Sequence, residues 1–151
     1  MPDPAQSGLT ELKIPAQTEF IGLAKRVATS LGGLLGFSLD EIDELSIAVT
    51  QACGSLIEAA DEAWGPGGTL RLSFTPTERG VLLDVDAIAP RAREELPAVR
   101  RPAHAAAHSA ELEMQRALVR EMIRLLVDDF RHQVDTGRRQ SRYRMVKYLV
   151  S

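Results

Sequence analysis

A chain of 151 residues, 44% hydrophobic and 26% charged, can bury one core without disulfide or metal staples. Its net charge of -3 gives no whole-protein drive toward nucleic acid, and no apolar run reaches the roughly 20 residues that cross a bilayer. The opening MPDPAQSG has neither the basic start nor the apolar run of a secretory leader. The single cysteine, Cys53, cannot pair within the chain, so an inert thiol in a reducing cytoplasm is the expected setting.

Residues 1–8 carry two prolines, a serine and a glycine and read as a disordered tail; residues 9–151 then form one domain. Residues 9–14 alternate weakly and stop at Pro15, which fits an edge strand. From Glu19 a helical pattern runs through Phe20, Leu23, Val27 and Leu31 to the Gly32-Gly33 pair, with another breaker at Gly36. Residues 38–61 form the organising helix. Ser38 is a good N-cap, Glu41 completes a capping box, and Asp40, Asp43 and Glu44 suit the positive end of the helix dipole. Ile42, Leu45, Val49, Ala52, Cys53, Leu56 and Ala60 make one apolar stripe, which leaves Glu44, Ala48, Gln51 and Ser55 on the side periodicity assigns to solvent.

The AWGPGG turn follows, then alternating strands at 69–75 and 81–85. Residues 87–108 hold Pro90, Pro97 and Pro102 with little periodicity and read as a mobile, lid-like segment. Ser109 or a residue near it is expected to cap a helix whose apolar positions include Leu112, Leu118, Met122, Leu125 and Leu126. Strands at 130–134 and 141–150 close the chain. The order predicts an α+β, two-layer sandwich: a mixed or antiparallel sheet covered on one face by helices.

Three stretches carry a family resemblance: EFIGLAKRV (19–27), GFSLDEIDELSIAVTQAC (36–53), and LVDDFRHQV followed by SRYRMVKYL (126–134 and 141–149). They resemble the anti-sigma factor kinases of the RsbW/SpoIIAB family, within the histidine-kinase/Hsp90-like (Bergerat, GHKL) ATPase fold, and the resemblance spans about 9–149. It implies a nucleotide pocket built on the organising helix, where the family's glutamate acts as general base and its asparagine holds Mg²⁺. Those positions here are Gln51 and Ser55. A glutamine amide has no basic lone pair to take a proton, and a serine hydroxyl reaches less far than an amide carbonyl. The family's adenine-binding aspartate corresponds either to Asp86, one residue out of register, or to Ala87. The glycine-rich phosphate turn is replaced by AHAAAHSAELEM, whose Cβ atoms obstruct backbone approach to phosphate.

Gln51, Ser55 and Asp86 are therefore expected to line a remnant nucleotide pocket with no catalytic residue; no cofactor is expected, with residual ATP/Mg binding without turnover as the alternative. Lys25 stands where the family's first-helix arginine contacts partner proteins. It offers a point charge without the arginine fork. The implied protein is a cytoplasmic pseudo-kinase that sequesters a sigma factor and is released by an anti-sigma factor antagonist of the STAS-domain type. A homodimer is compatible with this, and membrane association is not expected. Two alternatives stand beside it. One is an active ATP-dependent protein-serine kinase. The other is a nucleic-acid module using Arg131, Arg138, Arg139, Arg142, Arg144 and Lys147, although a charged, solvated sheet edge is the commoner meaning of such a cluster. His104 and His108, four apart, have metal-ligand spacing but no companion cysteine, and no metal is expected.

Overall fold

The capping box forms as the sequence predicts. The Glu41 backbone N–H donates to Ser38 Oγ at 3.2 Å, and the Ser38 N–H donates to Glu41 Oε1 at 2.9 Å. The computed structural model describes residues 8–91 and 105–149. Over them run β1 (Thr10–Pro15), a 3-10 turn (Thr18–Phe20), α1 (Ile21–Leu35), α2 (Leu39–Trp64), β2 (Thr69–Pro76), β3 (Gly80–Ile88), α3 (Ala105–Leu126), β4 (Asp129–Asp135) and β5 (Gln140–Tyr148). The strands form one sheet in the order β1-β2-β3-β5-β4. Every pairing is antiparallel, which settles the choice between a mixed and an antiparallel sheet. β1 is an edge strand, as its terminal proline suggested.

Alternation sorts the sheet into two faces. Leu70, Leu72, Phe74, Val81, Leu83, Val85, Tyr143 and Met145 are buried in the core with Ala24, Ala28, Leu45, Val49, Ala52, Cys53 and Leu56 of the helices. The outer face carries Arg71, Asp84, Asp86, Arg142 and Arg144 instead. The architecture is the expected two-layer α+β sandwich.

Several boundaries shift for identifiable reasons. α1 does not stop at Gly32-Gly33. It continues to Leu35 and ends at Gly36, whose φ of 87° supplies the left-handed residue of a Schellman cap. The Phe37 N–H donates to the Gly32 carbonyl at 3.0 Å, and the Gly36 N–H to the Gly33 carbonyl at 3.2 Å. Gly32 is small because α2 passes close: a Cβ there would lie 3.1 Å from Ile42 Cγ1. The segment expected at 87–108 shortens from both ends. β3 runs on to Ile88, and α3 starts at Ala105 in an alanine-rich run of high helix propensity, so Ser109 sits inside the helix and not at its cap. The remainder of that expectation, 92–104, lies outside the described residues, as do the N-terminal tail through residue 7 and His104.

The buried face of α3 also differs from the expected one. Arg116, Ile123 and Val127 are buried, with Leu112, Val119 and Leu126 half-buried, while Leu118 and Leu125 point outward with Met114 and Met122. Two apolar stripes lie on this helix, and only one can meet α2.

Gly80 opens β3 where the backbone of β5 leaves no room, since a Cβ would fall 1.9 Å from the Lys147 carbonyl oxygen. Gly80→Ala should destabilise the fold by about 1–3 kcal/mol through forced backbone displacement. Gly22→Ala, in α1 with nothing within 4 Å of the added methyl, should stabilise it by about 0.5–1 kcal/mol. Urea unfolding of the two variants against the parent measures both.

Candidate functional site

The flank of α2 that periodicity assigned to solvent is covered. Ala48 and Ser55 are buried and Glu44 and Gln51 half-buried; the solvent-facing strip is Asp40, Asp43, Ile47, Glu58 and Asp61. The covered flank meets α3 and β5, and Glu44, Ser55 and Glu62 find partners there. Lys147 Nζ donates to Glu44 Oε2 at 2.7 Å and to the Leu126 carbonyl at 2.8 Å, so one ammonium joins α2, β5 and the negative end of α3. Ser55 Oγ and Tyr143 Oη share a hydrogen bond at 3.0 Å. Arg116 of α3 is bonded to Glu62 of α2, and to Glu113 one turn earlier at 2.9 Å. Burial alone would lower the Arg116 pKa, but the hydrogen bonds it donates to these two carboxylates raise it, so the guanidinium is held as a cation.

Arg116 separates two clefts. The first, about 500 Å³, lies between α2 and α3 and is lined by Gln51, Ser55, Glu58, Asp61, Gln115 and Arg116 among others. Gln51 and Ser55 both line it. The second, about 250 Å³, lies between the C-terminal turns of α2, α3 and the β4–β5 hairpin. Trp64 and Tyr143 line it. His132 lies at its edge, with its ring edge-on to Tyr143 at 4.9 Å and Nε2 3.3 Å from Ser141 Oγ. Burial lowers the His132 pKa and Arg120 adds to this against the opposing charge of Glu113, which keeps the imidazole neutral at pH 7.

Asp86 is not in either cleft. It lies on the outer sheet face, 1% exposed, where Arg142 Nε donates to Oδ1 at 2.6 Å and Arg71 Nη2 to Oδ2 at 3.0 Å. Strand alternation sends its side chain away from the helices and leaves Ala87 buried on the helix side, so the pocket assignment of Asp86 is corrected. Asp84 makes a similar bidentate pair with Arg144 at 2.8 and 3.0 Å. Arg131 and Arg138 lie near Asp129 and Asp135, and Lys147 is engaged as above, so the C-terminal cations are largely matched by acids. Lys25 is exposed on α1 and lines neither cleft. Arg116, Glu62, Arg120 and His132 are site residues that sequence reasoning missed. The Glu113–Arg116 spacing hinted at a helical ion pair, but nothing in it says that the arginine points inward.

Among the described residues, the side chains of the first cleft do not fit Mg-ATP. An amide stands at the base position, the Ser55 hydroxyl is bonded to Tyr143, the Arg116 guanidinium is held by two carboxylates, and Glu58 and Asp61 add negative charge to the lining. Among the described residues no three His, Cys, Asp or Glu side chains gather as a metal site would require.

At Asp86, burial pushes the carboxyl pKa up, but hydrogen bonds and charge from Arg142 and Arg71 outweigh it and hold the group below the ordinary aspartate range. Its folded value is depressed, so its stabilisation is complete above the ordinary range and disappears as pH falls through the folded value. Asp86→Asn should cost at most about 3 kcal/mol at pH 7, because both arginines are partly solvated. The difference from the parent should close in acid, and urea midpoints from pH 7 down to pH 3 test this.

No family model matches the chain. Its sequence is similar to proteins named serine-protein kinase RsbW. Identity to that of Halalkalibacterium halodurans is 33% over 86 residues, 51% of each chain. To that of Bacillus subtilis it is 36% over 50 residues, covering 33% of this chain and 31% of the relative. To that of Bacillus licheniformis it is 31% over 64 residues, 42% and 40%. The chain spans about half the length, or less, of the curated relatives it matches. Among the described residues no helix is long and apolar enough to cross a membrane. With an antiparallel α+β layer consistent with the ATPase fold that the sequence suggested, the chain is RsbW-like over the matched half.

Proposed function

We propose that this chain is an anti-sigma factor-like regulator that sequesters a sigma factor, yields it to an antagonist, and transfers no phosphoryl group. The observation that carries the reading is Gln51 in the α2–α3 cleft. General-base activation of a serine hydroxyl needs a group that accepts a proton near neutral pH, and an amide does not. Similarity to proteins named as serine-protein kinases supports the regulatory class, while the cleft's chemistry argues against retained transfer. Partner capture then rests on surface complementarity. Lys25, exposed on α1 beside Arg26 and near the 44%-exposed Leu23, gives a mixed basic and apolar patch suited to an acidic protein surface. Because Arg142, Arg144 and Lys147 are tied to carboxylates within the fold, the nucleic-acid alternative has little free charge to use.

Pull-down from the native host, with and without ATP, should retain the same sigma-type or antagonist partner in both lanes. Lys25→Glu should weaken that capture by about tenfold through like-charge repulsion. Incubation with labelled ATP and the captured antagonist should give no phosphoserine. ATP-dependent serine labelling would restore the active-kinase reading, and the absence of any such partner would defeat both.

A further inference from the structure

The second cleft has features of a ligand site that the regulator reading does not use. One part of its wall is apolar and aromatic, with Trp64 at the end of α2, the Tyr143 ring in β5, and Ala60 and Ala63, whose small side chains leave the space between them open; the other part is polar, with Glu113, Arg116 and Arg120. His132, at its edge, carries no charge to add. Arg120 is half-buried at the wall of the cleft and has no hydrogen bond or ion pair among the described residues, whereas Arg116 beside it is taken by Glu62 and Glu113.

We propose that this cleft binds a small organic monocarboxylate with an aromatic or branched apolar body, its carboxylate on the Arg120 guanidinium and its body between Trp64 and Tyr143. The guanidinium fork matches a carboxylate with two parallel hydrogen bonds, and aromatic walls hold a ring by offset or edge contact. The volume of about 250 Å³ lies below the roughly 300–1,000 Å³ of sites for drug-sized molecules, which favours a compact ligand. A single uncompensated cation selects a single negative charge. A doubly charged phosphate would set its second charge near Glu113. The site lies across the Arg116 ion group from Gln51 and meets Ser55 only through the Tyr143 hydroxyl, and it includes none of the proposed partner contacts, so this proposal survives or fails independently of the proposed partners.

Trp64 is the only tryptophan in the chain, so its fluorescence reads this cleft alone. Titration of the full chain with benzoate, followed by Trp64 emission and by calorimetry, should give saturable binding. Benzamide, the neutral near-isostere, and inorganic phosphate should each bind at least about tenfold more weakly. Arg120→Gln should weaken benzoate by a similar factor. Ala63→Leu, which fills the cleft from a solvent-accessible helix position, should abolish binding while leaving the circular dichroism spectrum and urea midpoint unchanged. Equal binding of benzoate and benzamide, unaltered benzoate affinity in Arg120→Gln, or neither heat nor emission change with the parent protein would overturn the assignment.

Discussion

Covering both flanks of α2 is the constraint on which the remaining structure depends. A helix of 26 residues laid across a sheet can leave one strip in water, and here that strip is narrow. The flank toward α3 and β5 holds Glu44, Ser55 and Glu62, spaced along most of its length. Each would be costly to bury alone. Lys147, Tyr143 and Arg116 meet them in turn, from two elements distant in sequence. These contacts set how α3 lies against α2, and so they set the two clefts on either side of Arg116. Replacing one partner would strand the other in a poorly solvated position, which costs more than the net worth of the contact.

The sheet solves the opposite problem. Its helix-side face is mainly apolar and is held by packing apart from Lys147 and the Tyr143 hydroxyl, whereas among the described residues no layer covers its outer face. Arginines and aspartates on neighbouring strands pair across β2, β3 and β5, with Asp86 between two guanidinium groups. Such cross-strand pairs stabilise the sheet modestly and keep its open face from becoming an apolar platform. Arg142 and Arg144, two of the cations concentrated near the C-terminus, are each one half of these pairs.

Local signals in the sequence survived best. The Ser38–Glu41 capping box, the terminal proline of β1, the alternation of β2 and the breaker at AWGPGG all act through nearest neighbours, and each marks its element within a few residues. Signals that depend on what packs where were less legible. Gly32-Gly33 looks like a helix end, yet the pair lies inside α1 because a close crossing by Ile42 requires a small residue. α3 offers two apolar stripes, and nothing local says that Arg116 will be buried in place of Leu118, because the carboxylate that makes this possible, Glu62, lies 54 residues away. Asp86 looked like a pocket residue by alignment of motifs, but the pleat sends it to the other face. The four-residue spacing of Gln51 and Ser55 puts them on one flank of α2, but nothing local announces the engagement of Ser55 by Tyr143.

Cys53 sits at the middle of α2, fully buried, and burial alone pushes its thiol up to about 12. A reagent that consumes thiolates finds neither access nor the reactive form while the helix stays packed. Alkylation of this one sulfur is therefore a clock for excursions in which α2 leaves its bed, and its rate reports the free energy of that opening without any engineered label.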